Sequence, residues 1–175
     1  DTEFSFNNER GMTDFVVIKV EGKSSSEIYK KTIEWIKITY KNPEQVILST
    51  IENEYVRFEG SSNSLYSINL GLGFGKSYQP TKYQIEISVK DNKYKFDIIG
   101  MESYINPSNY STGGWTSNVL FNGNLTKEYL TNIYRKDGTL KNTWKYIDEV
   151  PQYFNDLNKS LFEYLVGNQN KKDGW

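Results

Sequence analysis

The segment 81–99 constrains the fold more strongly than any other part of this sequence, because apolar and polar residues alternate on both sides of a short turn. Asp91-Asn92 is a two-residue turn of the kind that joins neighbouring antiparallel strands. With this turn, Val89 faces Tyr94, and the other apolar residues follow on the same side of the hairpin. Those residues are Tyr83, Ile85, Ile87, Val89, Tyr94, Phe96 and Ile98. Turn chemistry and hydrophobic pattern agree on one register, which predicts a sheet with one apolar face and one polar face.

Other segments predict further strands and helices. Ser24 and Glu27 form a capping-box pattern, which predicts a helix at 25–41 that ends before Asn42-Pro43. The remaining predicted elements are strands at 14–22, 45–50, 54–60 and 66–74, a short helix from Thr126 to Tyr134, and a final helix from 147 or 151 to 166.

The order of these elements predicts an α+β domain, because a strand and a helix are followed by several strands and then by helices. Since only one face of the strands is apolar, we expect an antiparallel sheet of about five or six strands with helices packed on one face. A chain of 175 residues can bury one core and is predicted to be a single domain. Its predicted parts are a flexible lead-in at 1–12, a core at 13–101, a long aromatic loop at 102–124 and C-terminal helices at 125–167.

The segment 102–124 is rich in Asn, Ser and Gly, which predicts a long loop with a short strand at 118–121. Long loops in compact domains often carry function. Tyr104, Tyr110 and Trp115 are therefore the candidate ligand-binding residues, since exposed rings can stack on a sugar or anchor a protein partner. The alternative is that the loop folds back and these rings cover the sheet edge or seal the core.

The absence of cysteine and histidine excludes disulfides, zinc sites of the Cys/His type, thiolate catalysis and Ser–His relays. The segment GLGFGKS at 71–77 is not a phosphate-binding loop, because Leu70 stands where that motif requires its first glycine. We therefore expect no cofactor, no metal site and no enzymatic activity. Paired carboxylates are the remaining route to acid–base chemistry, and Glu86 and Asp97 on the polar face are the candidates for it.

The charge balance and hydropathy argue against two further classes of partner. The net charge is −1, with 21 basic and 22 acidic residues interspersed along the chain. Nucleic-acid binding depends on a basic field, so we expect no nucleic-acid partner. No apolar run approaches the roughly 18 residues that a membrane-spanning helix needs, so no transmembrane segment is expected.

Three segments resemble one known family: SSSEIYKKTIEWIKITYKNPEQVILS at 24–49, EYVRFEG at 54–60 and YQIEISVKDNKYKFDIIGM at 83–101. It is a family of domains of unknown function with a fold like that of TATA-binding protein (TBP-like), found in exported proteins of Bacteroides-group bacteria. The resemblance implies a TBP-like fold and export to the periplasm or cell surface. It also implies a lipoprotein whose lipidated cysteine would lie before Asp1. No activity follows from it.

The fold analogy does not predict DNA binding. TATA-binding protein inserts Phe wedges from its open sheet into the DNA minor groove. The corresponding face here reads Gln84, Glu86, Ser88, Lys90, Lys95 and Asp97. This face has no wedge and no net positive field, and a shared fold does not transfer function.

These observations predict a non-enzymatic binding or interaction module of the bacterial cell envelope. Its partner would be a protein or a glycan. One alternative is a carrier of a small apolar ligand held between the sheet and the C-terminal helix. The other is a hydrolase that uses carboxylates alone, which requires two acids in one cleft.

Overall fold

The structure is a computed structural model that describes residues 1–69, 73, 75–109, 111–118, 120–121 and 125–167. The strands are β1 (Phe6–Asn7), β2 (Gly11–Met12), β3 (Phe15–Lys19), β4 (Ile47–Ile51), β5 (Tyr55–Ser62), β6 (Ser67–Asn69), β7 (Lys76–Tyr78), β8 (Thr81–Lys90), β9 (Lys93–Ile105) and β10 (Gly114–Ser117). The helices are α1 (Ser25–Thr39), α2 (Pro43–Val46), α3 (Lys127–Ile133), a 3₁₀ helix (Asn142–Asp148) and α4 (Glu149–Val166).

The main sheet is antiparallel and six-stranded, in the order β10-β9-β8-β5-β4, with β3 also paired to β9. Strand β3 pairs with residues 93–97 of β9, and β10 pairs with residues 102–105. Because β8 occupies one side of β9 along its length, β3 and β10 share the other side. The long hairpin of β8 and β9 is therefore the centre of the sheet, and the predicted α+β class with about six antiparallel strands is confirmed.

The register of the central hairpin is the predicted one. Val89 pairs with Tyr94, Ile87 with Phe96, and Ile85 with Ile98. Asn92 in the turn has a φ of 63°, a left-handed conformation that Asn tolerates better than most other residues. Beyond these pairs the register shifts, since Gln84 pairs with Gly100, which leaves Ile99 as an extra, bulged residue in β9.

Helices α1 and α4 contact each other and cover one face of the sheet, as predicted. The capping box at the start of α1 is present, with the amide nitrogen of Glu27 donating to Oγ of Ser24 at 3.2 Å and the amide of Ser24 donating to the Glu27 carboxylate at 3.0 Å. The core joins buried residues of the two helices to those of the sheet. It includes Ile28, Trp35, Ile36, Phe154, Leu161 and Leu165 from the helices, and Val56, Phe58, Tyr83, Ile85, Ile87, Tyr94 and Phe96 from the sheet.

A chain of tyrosine hydroxyls crosses this core. The hydroxyl oxygen of Tyr83 lies 3.1 Å from that of Tyr40 and 2.9 Å from that of Tyr153. Burial raises the pKa of Tyr40 and of Tyr83 far above its ordinary value, so both hydroxyls stay protonated and serve as hydrogen-bonding groups. The ring of Tyr83 lies over Gly60 of β5, its cross-strand partner.

Several predicted segments differ in the structure. The strand predicted at 66–74 is the short β6, which pairs with β7 in a separate two-stranded sheet. Leu70, Leu72 and Phe74 of that prediction lie outside the described residues. The flexible lead-in predicted at 1–12 is wrong, because β1 pairs with β2 and Phe4 is buried in the core. Two hydrogen bonds, at 2.7 and 2.9 Å, join the backbone of Phe4 to the side chain of Asn155 in α4.

The long loop predicted at 102–124 is also wrong. Strand β9 continues to Ile105, and β10 at Gly114–Ser117 returns along it, so the connection between them is only 106–113. The short strand of this region is β10, and the predicted strand at 118–121 is absent among its described residues, where Leu120 and Phe121 lie in a buried turn. Gly113 and Gly114 supply the positive φ angles, 71° and 115°, at the start of β10.

We expect Gly60→Ala to lower the free energy of unfolding by about 1–3 kcal/mol, the usual cost of overpacking a core. A Cβ at position 60 would lie 2.5 Å from Cζ of Tyr83 and 2.6 Å from its hydroxyl oxygen. That ring cannot move freely because its hydroxyl is held between two others. Urea unfolding followed by circular dichroism measures the loss.

Gly100→Ala is the matched control, because no described atom lies within 4 Å of a Cβ at that position in β9. We expect it to leave the free energy of unfolding unchanged or to raise it by up to about 1 kcal/mol. Equal losses in the two variants would mean that Gly60 acts through its backbone and not through contact with Tyr83.

Candidate functional site

The open face is the side of the main sheet that the helices leave uncovered. Its side chains alternate with those of the core, so strand β8 presents Lys82, Gln84, Glu86, Ser88 and Lys90 on this side. Directly opposite residues on neighbouring strands share a face, which places the side chains of the open face in rows across the sheet.

The centre of the open face is occupied by ion pairs. Glu86 and Asp97 are cross-strand partners, as the sequence predicted. Each carboxylate is paired with a cation, Glu86 with Arg57 at 2.9 Å and Asp97 with Lys95 at 2.7 Å. The hydrogen bond from Arg57 to Glu86 raises the pKa of the guanidinium. The two acids expected for a hydrolase thus serve as partners of cations within a half-exposed sheet face.

Two of the predicted ligand-binding residues meet at one end of the open face. Tyr104 in β9 and Trp115 in β10 are cross-strand partners. Their ring centroids are 5.4 Å apart, with the ring planes inclined by 69°. Trp115 is 41% exposed and Tyr104 is half-buried. These rings lie on paired strands and not on a loop, and Tyr110, the third predicted residue, lies outside the described residues.

A lysine covers the exposed ring of Trp115. The ammonium nitrogen of Lys82 lies 4.3 Å from the ring centroid, a cation–π contact. Lys82 in β8 is also the cross-strand partner of Glu102 in β9, and Glu102 is the partner of Ser117 in β10. The aromatic pair is therefore continuous with a polar row.

A depression of about 210 Å³ lies beside this row, which we call the Gly100 depression. It exists because Gly100 has no side chain where its cross-strand partner Gln84 and its neighbours do. Gln84 donates to the Glu59 carboxylate at 3.2 Å. The open-face residues that line the depression are Glu59, Lys82, Gln84, Gly100, Glu102 and Ser117.

A partly buried polar cluster beneath β10 holds the aromatic pair in position. The hydroxyl oxygens of Tyr66 and Ser103 lie 2.8 Å apart, and the side-chain amide of Asn118 donates to both, at 3.3 and 3.1 Å. Burial raises the pKa of Tyr66, so its hydroxyl remains a donor. Because Asn118 directly follows β10, this cluster fixes the end of the strand that carries Trp115.

Sequence reasoning placed Gln84 on the open face but missed Lys82, Glu102 and Gly100 as parts of a site. The signal for Lys82 was present, since it continues the alternation of β8 by one step. Glu102 and Gly100 could not be placed, because the bulge at Ile99 changes which residues of β9 face outward.

The space between the sheet and α4 gives no support to the apolar-carrier hypothesis. Rings interlock there, with centroids of Tyr83 and Phe154 at 5.4 Å, and of Phe4 and Phe96 at 5.7 Å. A depression of about 450 Å³ borders α4 at the surface, and most of its lining residues are polar. In the described part of the chain, no helix has the length and apolarity needed to cross a membrane.

Comparisons with known proteins confirm the resemblance inferred from the sequence. A family model described as a domain of unknown function (DUF4468) with TBP-like fold matches residues 15–102, half of the chain. A TBP-like protein from Parabacteroides distasonis has a TM-score of 0.58 and 14% sequence identity, covering 92% of this chain and 96% of that chain. A DUF4468 family protein from Bacteroides ovatus has a TM-score of 0.53 and 13% identity, covering 92% of this chain and 87% of that chain. No curated protein matches.

We expect a double-mutant cycle of Lys82→Met and Trp115→Ala to give a coupling free energy of about 0.5–1 kcal/mol, the usual strength of an exposed cation–π contact. Lys82→Met keeps the aliphatic stem and removes only the charge. Urea unfolding of the four proteins measures the coupling. A coupling free energy near zero would show that the two side chains contribute independently.

Proposed function

We propose that this chain, which belongs to the DUF4468 family of domains of unknown function with a TBP-like fold, is a non-catalytic module that binds a glycan on its open face. The single observation that carries the proposal is an exposed tryptophan, Trp115, beside a polar depression on the main sheet. The likeness to solved structures contributes the fold alone, so the function is argued from the site.

The chemistry of the site suits a sugar. The apolar face of a pyranose stacks on an aromatic ring, and Trp115 offers a large ring whose strand is fixed from below. Sugar hydroxyls both donate and accept hydrogen bonds. The depression supplies carboxylate acceptors from Glu59 and Glu102, together with the amide of Gln84 and the ammonium donor of Lys82.

The position of Lys82 is compatible with such stacking. Its flexible side chain covers the Trp115 ring. Displacing it costs only about 0.5–1 kcal/mol, the strength of an exposed cation–π contact. When a sugar takes its place, the ammonium group is still within the depression and can donate to a hydroxyl. Binding thus requires Lys82 to exchange its contact with the Trp115 ring for a hydrogen bond to the sugar, and it requires no movement of the sheet.

A glycan fits the site better than a protein partner does. The core of a protein–protein interface is depleted of charged side chains, and a standard interface buries about 800 Å² on each partner. The Gly100 depression has a volume of about 210 Å³ and is lined by two carboxylates and an ammonium group. This size and polarity suit a single sugar residue at the end or along the side of a chain.

The proposal includes an exported location in a bacterial cell envelope. Its support is the Bacteroides-group source of both structural neighbours and the resemblance of the sequence to a family found in exported proteins. Fractionation of cells expressing the full-length gene product tests this part, and recovery in the cytoplasm would contradict it.

We expect Trp115→Ala to weaken glycan binding by at least about thirtyfold, because loss of a central aromatic contact in a binding site costs about 2 kcal/mol or more. A glycan array identifies the ligand, and isothermal titration calorimetry with that ligand measures the dissociation constants of both proteins. Analysis of the titrated glycan for new reducing ends tests the absence of catalysis.

Tyr78→Ala is the matched control, because Tyr78 is an aromatic residue that is 54% exposed on β7, outside the main sheet. We expect this variant to bind as the unaltered protein does. The proposal is wrong if no glycan binds, or if the two substitutions reduce affinity equally.

A further inference from the structure

A row of three lysines crosses the open face at the end away from Trp115. Lys93 of β9 is the cross-strand partner of Lys19 in β3 on one side and of Lys90 in β8 on the other. All three side chains are exposed. Since directly opposite residues share a face, their ammonium groups project from the same side of the sheet. We call Lys19, Lys90 and Lys93 the lysine row.

The positive charge of the lysine row is not neutralised within the described part of the chain. None of its ammonium groups has a described carboxylate within 4.0 Å. Asp91, in the adjacent turn, is directed elsewhere and accepts a hydrogen bond from the amide of Ser25 at 2.8 Å. Like charges directly opposite each other destabilise a sheet, so the row stores an unfavourable interaction that a bound anion would relieve.

The lysine row borders a hollow rather than a flat surface. A depression of about 260 Å³ lies at this end of the open face, lined by Val17, Ser88, Lys90, Lys93, Tyr94 and Lys95. Ammonium groups and the Ser88 hydroxyl are donors to an oxyanion, and hydrogen bonds between charged groups are stronger than neutral ones. The donor set suits a sulfate or carboxylate group, and the volume leaves room for the sugar that carries it.

We propose that the lysine row binds the sulfate or carboxylate substituents of an acidic polysaccharide. This inference rests on the proposed function, because it takes the ligand of the Gly100 depression to be part of the same polymer. Lys82 and Lys90 are eight residues apart on β8, a separation of about 26 Å along the strand. A polymer lying along the open face reaches both ends, with its anionic groups at one end and neutral sugars at the other.

The distribution of charge along the face favours a sparsely charged polymer over a nucleic acid. A nucleic acid carries one phosphate on every nucleotide and requires a continuous basic track. Here Glu86 and Asp97 lie in the centre of the face, and Glu59 and Glu102 lie at the Trp115 end. These carboxylates would repel a continuous phosphate backbone, whereas a polysaccharide with occasional anionic substituents avoids them.

The test compares Lys90→Gln/Lys93→Gln with Lys30→Gln/Lys37→Gln, which makes the same change in net charge on exposed lysines of α1, on the covered side of the sheet. Calorimetric titration with a sparsely substituted dextran sulfate, neutral dextran and a single-stranded DNA oligonucleotide gives the affinities at several salt concentrations. We expect the row variant to bind dextran sulfate at least about tenfold more weakly, because two charge-assisted contacts are lost. Its salt dependence should be smaller by about two charges, and the α1 variant should be unchanged.

The outcomes separate this inference from the proposed function. Equal binding of dextran sulfate by the two double variants would overturn the lysine row as the anion site. Tighter binding of the oligonucleotide than of dextran sulfate at the same salt concentration would overturn it in favour of a nucleic acid. If Trp115→Ala binds every glycan normally while the row variant loses dextran sulfate, the proposed function fails and the anion site stands. Failure of the unaltered protein to bind any polysaccharide contradicts both.

Discussion

The pairing of apolar side chains between β8 and β9 is the interaction on which the rest of the structure depends. Ile87 against Phe96 and Val89 against Tyr94 bury both members of each pair against the helices. Because side chains alternate with a period of two, this one register also decides which polar residues stand together on the opposite face. Strand β5 on one side of the hairpin, and β3 and β10 on the other, extend the same rows outward.

The sequence predicted most of this framework for a physical reason. In 81–98 the turn, the alternation and the requirement for one buried face all favour the same pairing, and the structure has that pairing. The capping box of α1 and the final helix ending at 166 were equally readable, since helix signals are local. Long-range contacts were not: nothing in residues 1–12 shows that Asn155, far along the chain, holds the backbone of Phe4.

The candidate site was predicted in part. Tyr104 and Trp115 were selected because aromatic residues in a polar segment suggested exposed rings on a loop, yet they face each other as partners in a hairpin. The neighbours that make them a site, Lys82 and Glu102, come from a different strand pairing. Composition can indicate which residues are unusual in a segment, but the rows of a sheet depend on the register of every strand between them.

The open face combines groups that would be incompatible at one place. Its centre is closed by the ion pairs of Arg57 with Glu86 and of Lys95 with Asp97. These pairs separate the aromatic and acidic end from the lysine end. They also limit the long-range electrostatic field of each end. A face built in this way has little net charge, in keeping with the net charge of −1 for the whole chain, while each end retains its own chemistry.

The bulged residue Ile99 allows one strand, β9, to contribute outward side chains to both the lysine end and the Trp115 end of the open face. Before it, the odd-numbered residues of β9, such as Lys93 and Lys95, point away from the helices, and after it the even-numbered ones, such as Glu102 and Tyr104, do so. Ile99 thus shifts the alternation of outward and inward side chains by one residue. If Ile99 instead took an ordinary, unbulged place in the alternation, the outward and inward sets would exchange beyond residue 98, and the ring of Tyr104 would point toward the core.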